Sequence, residues 1–331
     1  NFMKRYDVVG VGNALVDVLS HCDDAFLDAN GVEKGIMTLI DTDRAKELYG
    51  AMGPAKEISG GSAANTVAGV AMLGGKTAYV GKVRDDQLGQ IFAHDIRALG
   101  ADFDTFGAAT DELETGRCMV LVSPDGERSM STYLRISEGL GPDDIDTAMM
   151  GDTNWLYLEG YRFDGPDSHE AFAKAINAKK AAGGKVSLTL SDPFCVSRHR
   201  EAFRAMIVGG VDLLFCNRAE LLSMYETDDF DAALNTAGPE VEILVCTDSE
   251  NGAYIVSDGT VTHVPADPVQ IVDATGAGDA FAGAFLWGIT HGADLQTAAR
   301  MANLTAGSVI SHIGPRPEAD LTALFKQAGL G

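Results

Sequence analysis

Positive charge is scarce in this chain of 331 residues: 25 lysines and arginines stand against 48 aspartates and glutamates, a formal net charge of −23. A surface this acidic repels phosphate backbones and anionic lipid, which excludes nucleic acid and membrane as expected partners. Cysteine is scarce too. The five present, Cys22, Cys118, Cys195, Cys216 and Cys246, are scattered, odd in number and form no CxxC pair. That pattern argues against a disulfide framework or zinc knuckle and points to a reducing, cytoplasmic setting. No apolar run approaches a membrane span, and the N-terminus lacks the charged-then-apolar layout of a secretion signal, with Met3 reading as the natural start. Hydrophobic residues at 46% are enough for a real core, and the length suits one large domain with an appendage, or two domains. Any phosphate handled by such a protein must be held locally, by backbone N–H groups, a helix N-terminus or a divalent cation.

Short β-branched runs recur along the chain at Tyr6–Val11, Thr77–Val80, Trp155–Leu158, Lys185–Leu190, Leu213–Cys216 and Ile243–Thr247. Between most of them lie helical patterns, at Ala63–Leu73, Gln87–Leu99, Ser168–Ala182, Glu201–Val208 and Ala219–Tyr225. Strands alternating with helices predict an α/β fold with a mostly parallel sheet covered on both faces. Two stretches break the rhythm. Residues 34–58 hold a short strand candidate, Ile36–Ile40, and Thr115–Ser123 with Arg128–Leu134 read as a hairpin across Pro124-Asp125-Gly126. Strands without crossover helices suggest a small separate sheet able to act as a lid. The helical patterns near the end, Ala280–Ile289 and Thr297–Ser311, are rich in the small residues that close helix packing requires.

The chemistry concentrates at Asp273-Ala-Thr-Gly-Ala-Gly-Asp279, a turn that opens an apolar helix. Gly276 and Gly278 allow backbone angles closed to other residues and let an anion approach the N–H groups. The helix start adds free donors and partial positive charge, so a phosphoryl group in transfer can be stabilised here without a lysine. Asp279 stands where a carboxylate can take the proton of an attacking hydroxyl; the bland alternative is a helix cap. Other motifs fail by spacing. Gly75-Lys76-Thr77 ends like a Walker loop, but Val70 stands at its first position and the element order is reversed. Gly10-Val11-Gly12 lacks the third glycine of a dinucleotide fingerprint at Leu15, and neither a GxSxG elbow nor HExxH is present.

DATGAGDAF (Asp273–Phe281) is similar to the C-terminal signature of the ribokinase-like, or PfkB, carbohydrate kinases, and Ser59–Gly89 resembles their N-terminal signature. The resemblance spans nearly the whole chain and runs closest to the adenosine kinase branch. It implies a ribokinase-like fold: a mostly parallel Rossmann-like sheet with helices on both faces, plus a small β-sheet lid. Residues 1–14, 60–111 and 138–331 would form the large nucleotide-binding domain, and about 15–59 with 112–137 the discontinuous lid. It also implies MgATP as phosphoryl donor, allows a monovalent cation, and leaves monomer and homodimer open. Carried over by position, Asp279 is the base and the amides of Gly276, Ala277 and Gly278 hold the transferring group. Asn13, Asp17, Gly60, Gly61, Ser62 and Asn65 bind the acceptor, and Asp17 can accept from both vicinal hydroxyls of a ribose. Asn217 and Glu220 form an NxxE motif serving magnesium, although Asn and Glu so spaced also form a common helix cap. Thr247, Gly252, Thr275 and Asn303 fall where the family contacts ATP.

The implied reaction is transfer of the γ-phosphate to the primary hydroxyl of a nucleoside, adenosine to AMP, with sugar phosphorylation as the alternative and a nucleoside-binding sensor behind it. Leu190-Ser-Asp-Pro-Phe194 and residues 21–40 resemble the adenosine kinase branch, and Leu15, Met37, Cys118 and Tyr161 are apolar candidates to flank a purine. Two departures stand out. Arg84 replaces a common glycine, and Tyr133–Gly139 lacks the alanine- and asparagine-rich stretch of many adenosine kinases. Arg135, in that stretch, reads as a solvated surface arginine, with a swing towards phosphate as the alternative.

Overall fold

The structure is a computed structural model describing residues 3–104 and 113–331. The expected domain boundary at 111/112, like Asn1 and Phe2, lies outside the described residues. Eight strands form the main sheet: β1 Tyr6–Val11, β5 Thr77–Val80, β8 Thr153–Glu159, β9 Lys185–Thr189, β10 Leu213–Asn217, β11 Ile243–Thr247, β12 Ala253–Ser257 and β13 Thr260–Val264. Their order across the sheet is β13-β12-β11-β10-β9-β8-β1-β5. All pairings from β5 to β11 are parallel, and the last two are antiparallel.

Alternation explains why both faces are buried. On β8, Leu156 and Leu158 face one core while Tyr157 faces the other, and on β10 Leu214 and Cys216 oppose Leu213 and Phe215. The runs read as buried strands are therefore strands. The sequence reading missed the hairpin β12–β13, although its turn, Asp258-Gly259, carries left-handed φ angles of 51° and 72° that suit those two residues.

The five-stranded second sheet has the order β3-β7-β6-β2-β4, built from β2 Leu15–His21, β3 Met37–Leu39, β4 Lys56–Gly60, β6 Gly116–Val122 and β7 Arg128–Tyr133. The hairpin expected around Gly126 is the antiparallel pair β6–β7. One face packs Met119, Leu121 and Tyr133 against Leu27 and Leu48 of two short helices. The other face presents the paired row Asp17, Cys118 and Thr132 to a cleft beside the main sheet.

Two helices, Ser62–Met72 and Ala277–Thr290, pack backbone against backbone beneath that cleft. A Cβ on Gly283 would lie 2.6 Å from the Thr66 carbonyl oxygen, and one on Gly69 would lie 3.8 Å from the Gly283 Cα. The small residues noted in the sequence are what permits this approach. Gly283→Ala should therefore destabilise the fold by about 1–3 kcal/mol, the usual range for overpacking. Urea unfolding measures this, and an unchanged midpoint would show that the helices can part without penalty.

Candidate active site

Asp273 organises the glycine turn. Its buried carboxylate accepts from Thr275 N at 2.9 Å and from Gly314 N at 2.8 Å, and it forms an ion pair with buried Arg128 of β7. Gly276, the residue before the helix, has φ 79°, and a Cβ there would sit 2.4 Å from the Pro315 oxygen, so glycine is required for two reasons. A Cβ on Gly278 would meet nothing within 4 Å, which leaves the backbone of the first turn bare towards the cleft.

Asp279 lies in the first turn of this helix, but it is more than a cap. Ser62 Oγ donates to its Oδ1 at 2.6 Å and Asn65 Nδ2 to its Oδ2 at 3.3 Å, while Thr66 Oγ1 donates to its backbone oxygen at 3.0 Å. Burial pushes its pKa up to about 6; the bonds from Ser62 and Asn65 and the charge of Arg316 pull the other way. Two helix N-termini thus meet at one carboxylate, and both favour its ionised form.

Two further buried carboxylates, Asp17 and Glu159, stand near it. Burial raises Asp17 to about 7, against the opposing charges of Arg316 and Arg128, and the ionised Asp279 adds to the rise. Asp17 lies so close to β4 that a Cβ on Gly60 would be 2.5 Å from its carboxyl carbon. Glu159 is raised to about 7 by burial, although Ala63 N and Asn13 N each donate to it at 2.9 Å. Asn13 Oδ1 is itself occupied by Ser137 Oγ and Arg162 Nη1, both at 3.0 Å. Asn13 itself lines the cleft.

These residues line a cleft of about 700 Å³ between the two sheets. Of the residues expected at the site, all but Gly60, Thr247, Gly252 and Asn303 contribute to it, as do Leu15, Met37, Cys118 and Tyr161. Gly60 stands just behind, as the floor under Asp17. Gly252 and Asn303 instead converge on one segment: a Cβ on Gly252 (φ 88°) would be 2.2 Å from Val264 O, the carbonyl to which Asn303 Nδ2 donates at 3.0 Å. Thr247 ends β11 nearby. The reading of Arg135 as a solvated surface residue needs correction. It is half-buried, with φ 44°, and is not part of the cleft wall.

Asn217 and Glu220 form a reciprocal capping box: Asn217 Oδ1 accepts from Glu220 N at 2.8 Å, and Glu220 Oε1 from Asn217 N at 2.9 Å. Burial raises Glu220 to about 7, and ionised Asp192 and Asp279 push it further up. No group of three or more metal-ligating side chains occurs among the described residues. One buried carboxylate on the cleft wall, held by the Asn217 N–H, still fits Mg²⁺, which keeps several waters and takes its remaining ligands from substrate phosphates. Sequence reasoning missed Glu159, Arg162, Arg128 and Arg316. Arg316 had one visible sign, a proline on each side, which fixes the backbone that presents it.

Fold and site together define a phosphotransferase acting on a hydroxyl group. The sequence pattern of the pfkB family carbohydrate kinases matches residues 30–321, and the chain belongs to that family. Its structure is similar to a probable sugar kinase protein from Rhizobium etli, with 48% identity, a TM-score of 0.96 and coverage of 99% of this chain and 100% of that one. The adenosine kinase from Sinorhizobium meliloti is 46% identical, with a TM-score of 0.94 and coverage of 98% and 99%. A 5-dehydro-2-deoxygluconokinase from Shouchella clausii is 28% identical over 317 residues, 93% of this chain and 90% of that protein.

The raised carboxylates give a signed prediction. Asp17, Glu159, Glu220 and Asp279 bind protons more tightly folded than unfolded, so stability is fullest at acid pH. It should be lost as pH rises from about 4, the unfolded value, through their folded values. The Tm of the unliganded protein should be lower at about pH 8 than at about pH 6, and Glu220→Gln should flatten that slope. A Tm that rises over this interval and ignores the substitution would contradict the assignment.

Proposed function

We propose that the chain transfers the γ-phosphoryl group of ATP to the primary hydroxyl of a nucleoside, with adenosine as the leading acceptor. The observation that carries this is Asp279: a carboxylate at the meeting of two helix N-termini, beside a bare glycine turn, at the base of the cleft. The acceptor hydroxyl donates its proton to Asp279 as its oxygen attacks the γ-phosphorus, and the bond to the bridging oxygen breaks to release ADP. The amides of Gly276, Ala277 and Gly278 hold the charge on the outer phosphoryl oxygens. Asn217 and Glu220 would hold Mg²⁺, which supplies neutralisation of the donor phosphates when bound. Thr275 borders the phosphates, and Thr247, Gly252 and Asn303 border the remainder of ATP.

On the acceptor side, Asp17 and the Asn13 amide take the ribose hydroxyls, and Gly60 and Gly61 allow the sugar to approach the backbone. Leu15, Met37, Cys118 and Tyr161 supply apolar walls for a planar base, which a free sugar would leave unused. The second sheet, within about 15–59 and 112–137, acts as the lid over the large domain. Likeness to the Sinorhizobium meliloti adenosine kinase supports this reading. The likeness to the probable sugar kinase protein from Rhizobium etli is comparable and favours a second one, phosphorylation of a free sugar.

ADP release measured with adenosine, guanosine, inosine, ribose and fructose separates the two, and turnover of sugars alone would overturn the nucleoside assignment. Asp279→Asn should lower kcat by about 10²–10⁴-fold with acceptor binding retained. Asp17→Ala should raise the acceptor KM and leave that of ATP little changed. Equal turnover of 2′-deoxyadenosine and adenosine would remove Asp17 from the ribose.

A further inference from the structure

Arg316 lies outside the cleft wall, yet it reaches the heart of the site. Its Nε donates to Asn65 Oδ1 at 3.0 Å, while Asn65 Nδ2 donates to Asp279 Oδ2 at 3.3 Å. The orientation of that amide is forced from both ends. A guanidinium can only donate and a carboxylate can only accept, so with Arg316 behind it Asn65 must turn its NH2 towards Asp279. The segment carrying Arg316 is rigid for reasons already described. Gly314 N is bonded to Asp273, Pro315 packs on Gly276, and Pro317 follows. The residue that shapes the glycine turn therefore also anchors this arginine.

The surrounding charge gives Arg316 a second task. Around Asp279 stand Asp17 from β2, Glu159 from the end of β8, Glu220 from the helix Arg218–Tyr225, and the phenols of Tyr79, Tyr157 and Tyr161. Arg316 is the cation that acts on Asp279, and with Arg128 it acts on Asp17; Asp95 and Tyr79 complete its own surroundings. Its Nη2 is buried without a hydrogen-bond partner among the described residues. A buried donor left in this way is costly unless its charge serves the carboxylates around it.

We propose that Arg316 is a positioning residue for phosphoryl transfer: through Asn65 it aims a hydrogen-bond donor at Asp279, and its charge keeps Asp279 and Asp17 ionised together. This rests on Asp279 being the base. Removing the charge raises the pKa of both carboxylates, so the acid limb of the rate profile moves to higher pH.

The test is ADP release with adenosine, or with whichever of the five acceptors turns over fastest, from about pH 5 to 9. It compares Arg316→Gln, Arg316→Lys and Asp279→Asn, with the Tm of each recorded. Arg316→Gln should lower kcat by about 10- to 100-fold at pH near 8, with acceptor KM there changed by less than about threefold. Its acid limb should move up by about one pH unit. Arg316→Lys should keep the limb near the wild-type position and recover part of kcat. An Arg316→Gln enzyme with normal Tm and an unmoved limb would overturn the proposal, whether its kcat is normal or low. If that variant fails to fold, Asn65→Asp serves instead: it keeps a partner for Arg316 but faces Asp279 with a second carboxylate, and an unmoved limb would be equally fatal. Asp279→Asn separates the two levels. Near-normal turnover there overturns the base itself, whereas an inactive Asp279→Asn beside unaffected Arg316 variants overturns only the role of Arg316.

Discussion

The contact between Thr66 and Gly283 is the constraint on which the site depends. Two helices can aim their N-termini at one point only if their backbones come close, and here no side chain intervenes. That approach sets Ser62 and Asn65 of one helix against Asp279 of the other. Two helix N-termini, each with its partial positive charge, then converge on Asp279. A lysine-based phosphate site requires no such geometry. In the proposed reaction a chain with so little positive charge would draw its anion site from backbone, and backbone has to be brought within reach by packing.

Negative charge is handled inside the protein as well as at its surface. Four carboxylates around one cleft resist ionisation, since each is buried and an ionised Asp279 raises the other three. Backbone donors answer this for Glu159 and Glu220, helix-borne side chains for Asp279, and two inward arginines for Asp17. Arginine suits the role because it stays charged when buried. The scarce cations of this chain include two placed where they act on these buried carboxylates.

Asp273 ties these parts together. It fixes the glycine turn through Thr275, holds the segment bearing Arg316 through Gly314, and pairs with Arg128 at the start of β7 in the second sheet. The second sheet, the glycine turn and the segment bearing Arg316 are thus joined by one buried carboxylate, so displacement of that sheet would be felt at the turn.

Local pattern alone determined the strand and helix alternation, the β6–β7 hairpin and the identity of the DATGAGD turn, because each depends on residues adjacent in sequence. Asn217 and Glu220 came instead from the family resemblance, and the capping box they form closes within four residues. Local pattern passed over Glu159, which reads as the polar end of an apolar strand until Asn13, 146 positions earlier, donates to it. It passed over Arg316 likewise, whose bond to Asn65 spans 251 positions. Thr247, Gly252 and Asn303 show the opposite case: a familiar pattern located them, and the fold set them apart from the cleft around Asp279. Composition and spacing pointed to a glycine-flanked backbone turn as the place to hold phosphate. Which carboxylates are buried together, and which arginines hold them ionised, was decided by tertiary structure, because burial and charge proximity are set by packing between distant segments.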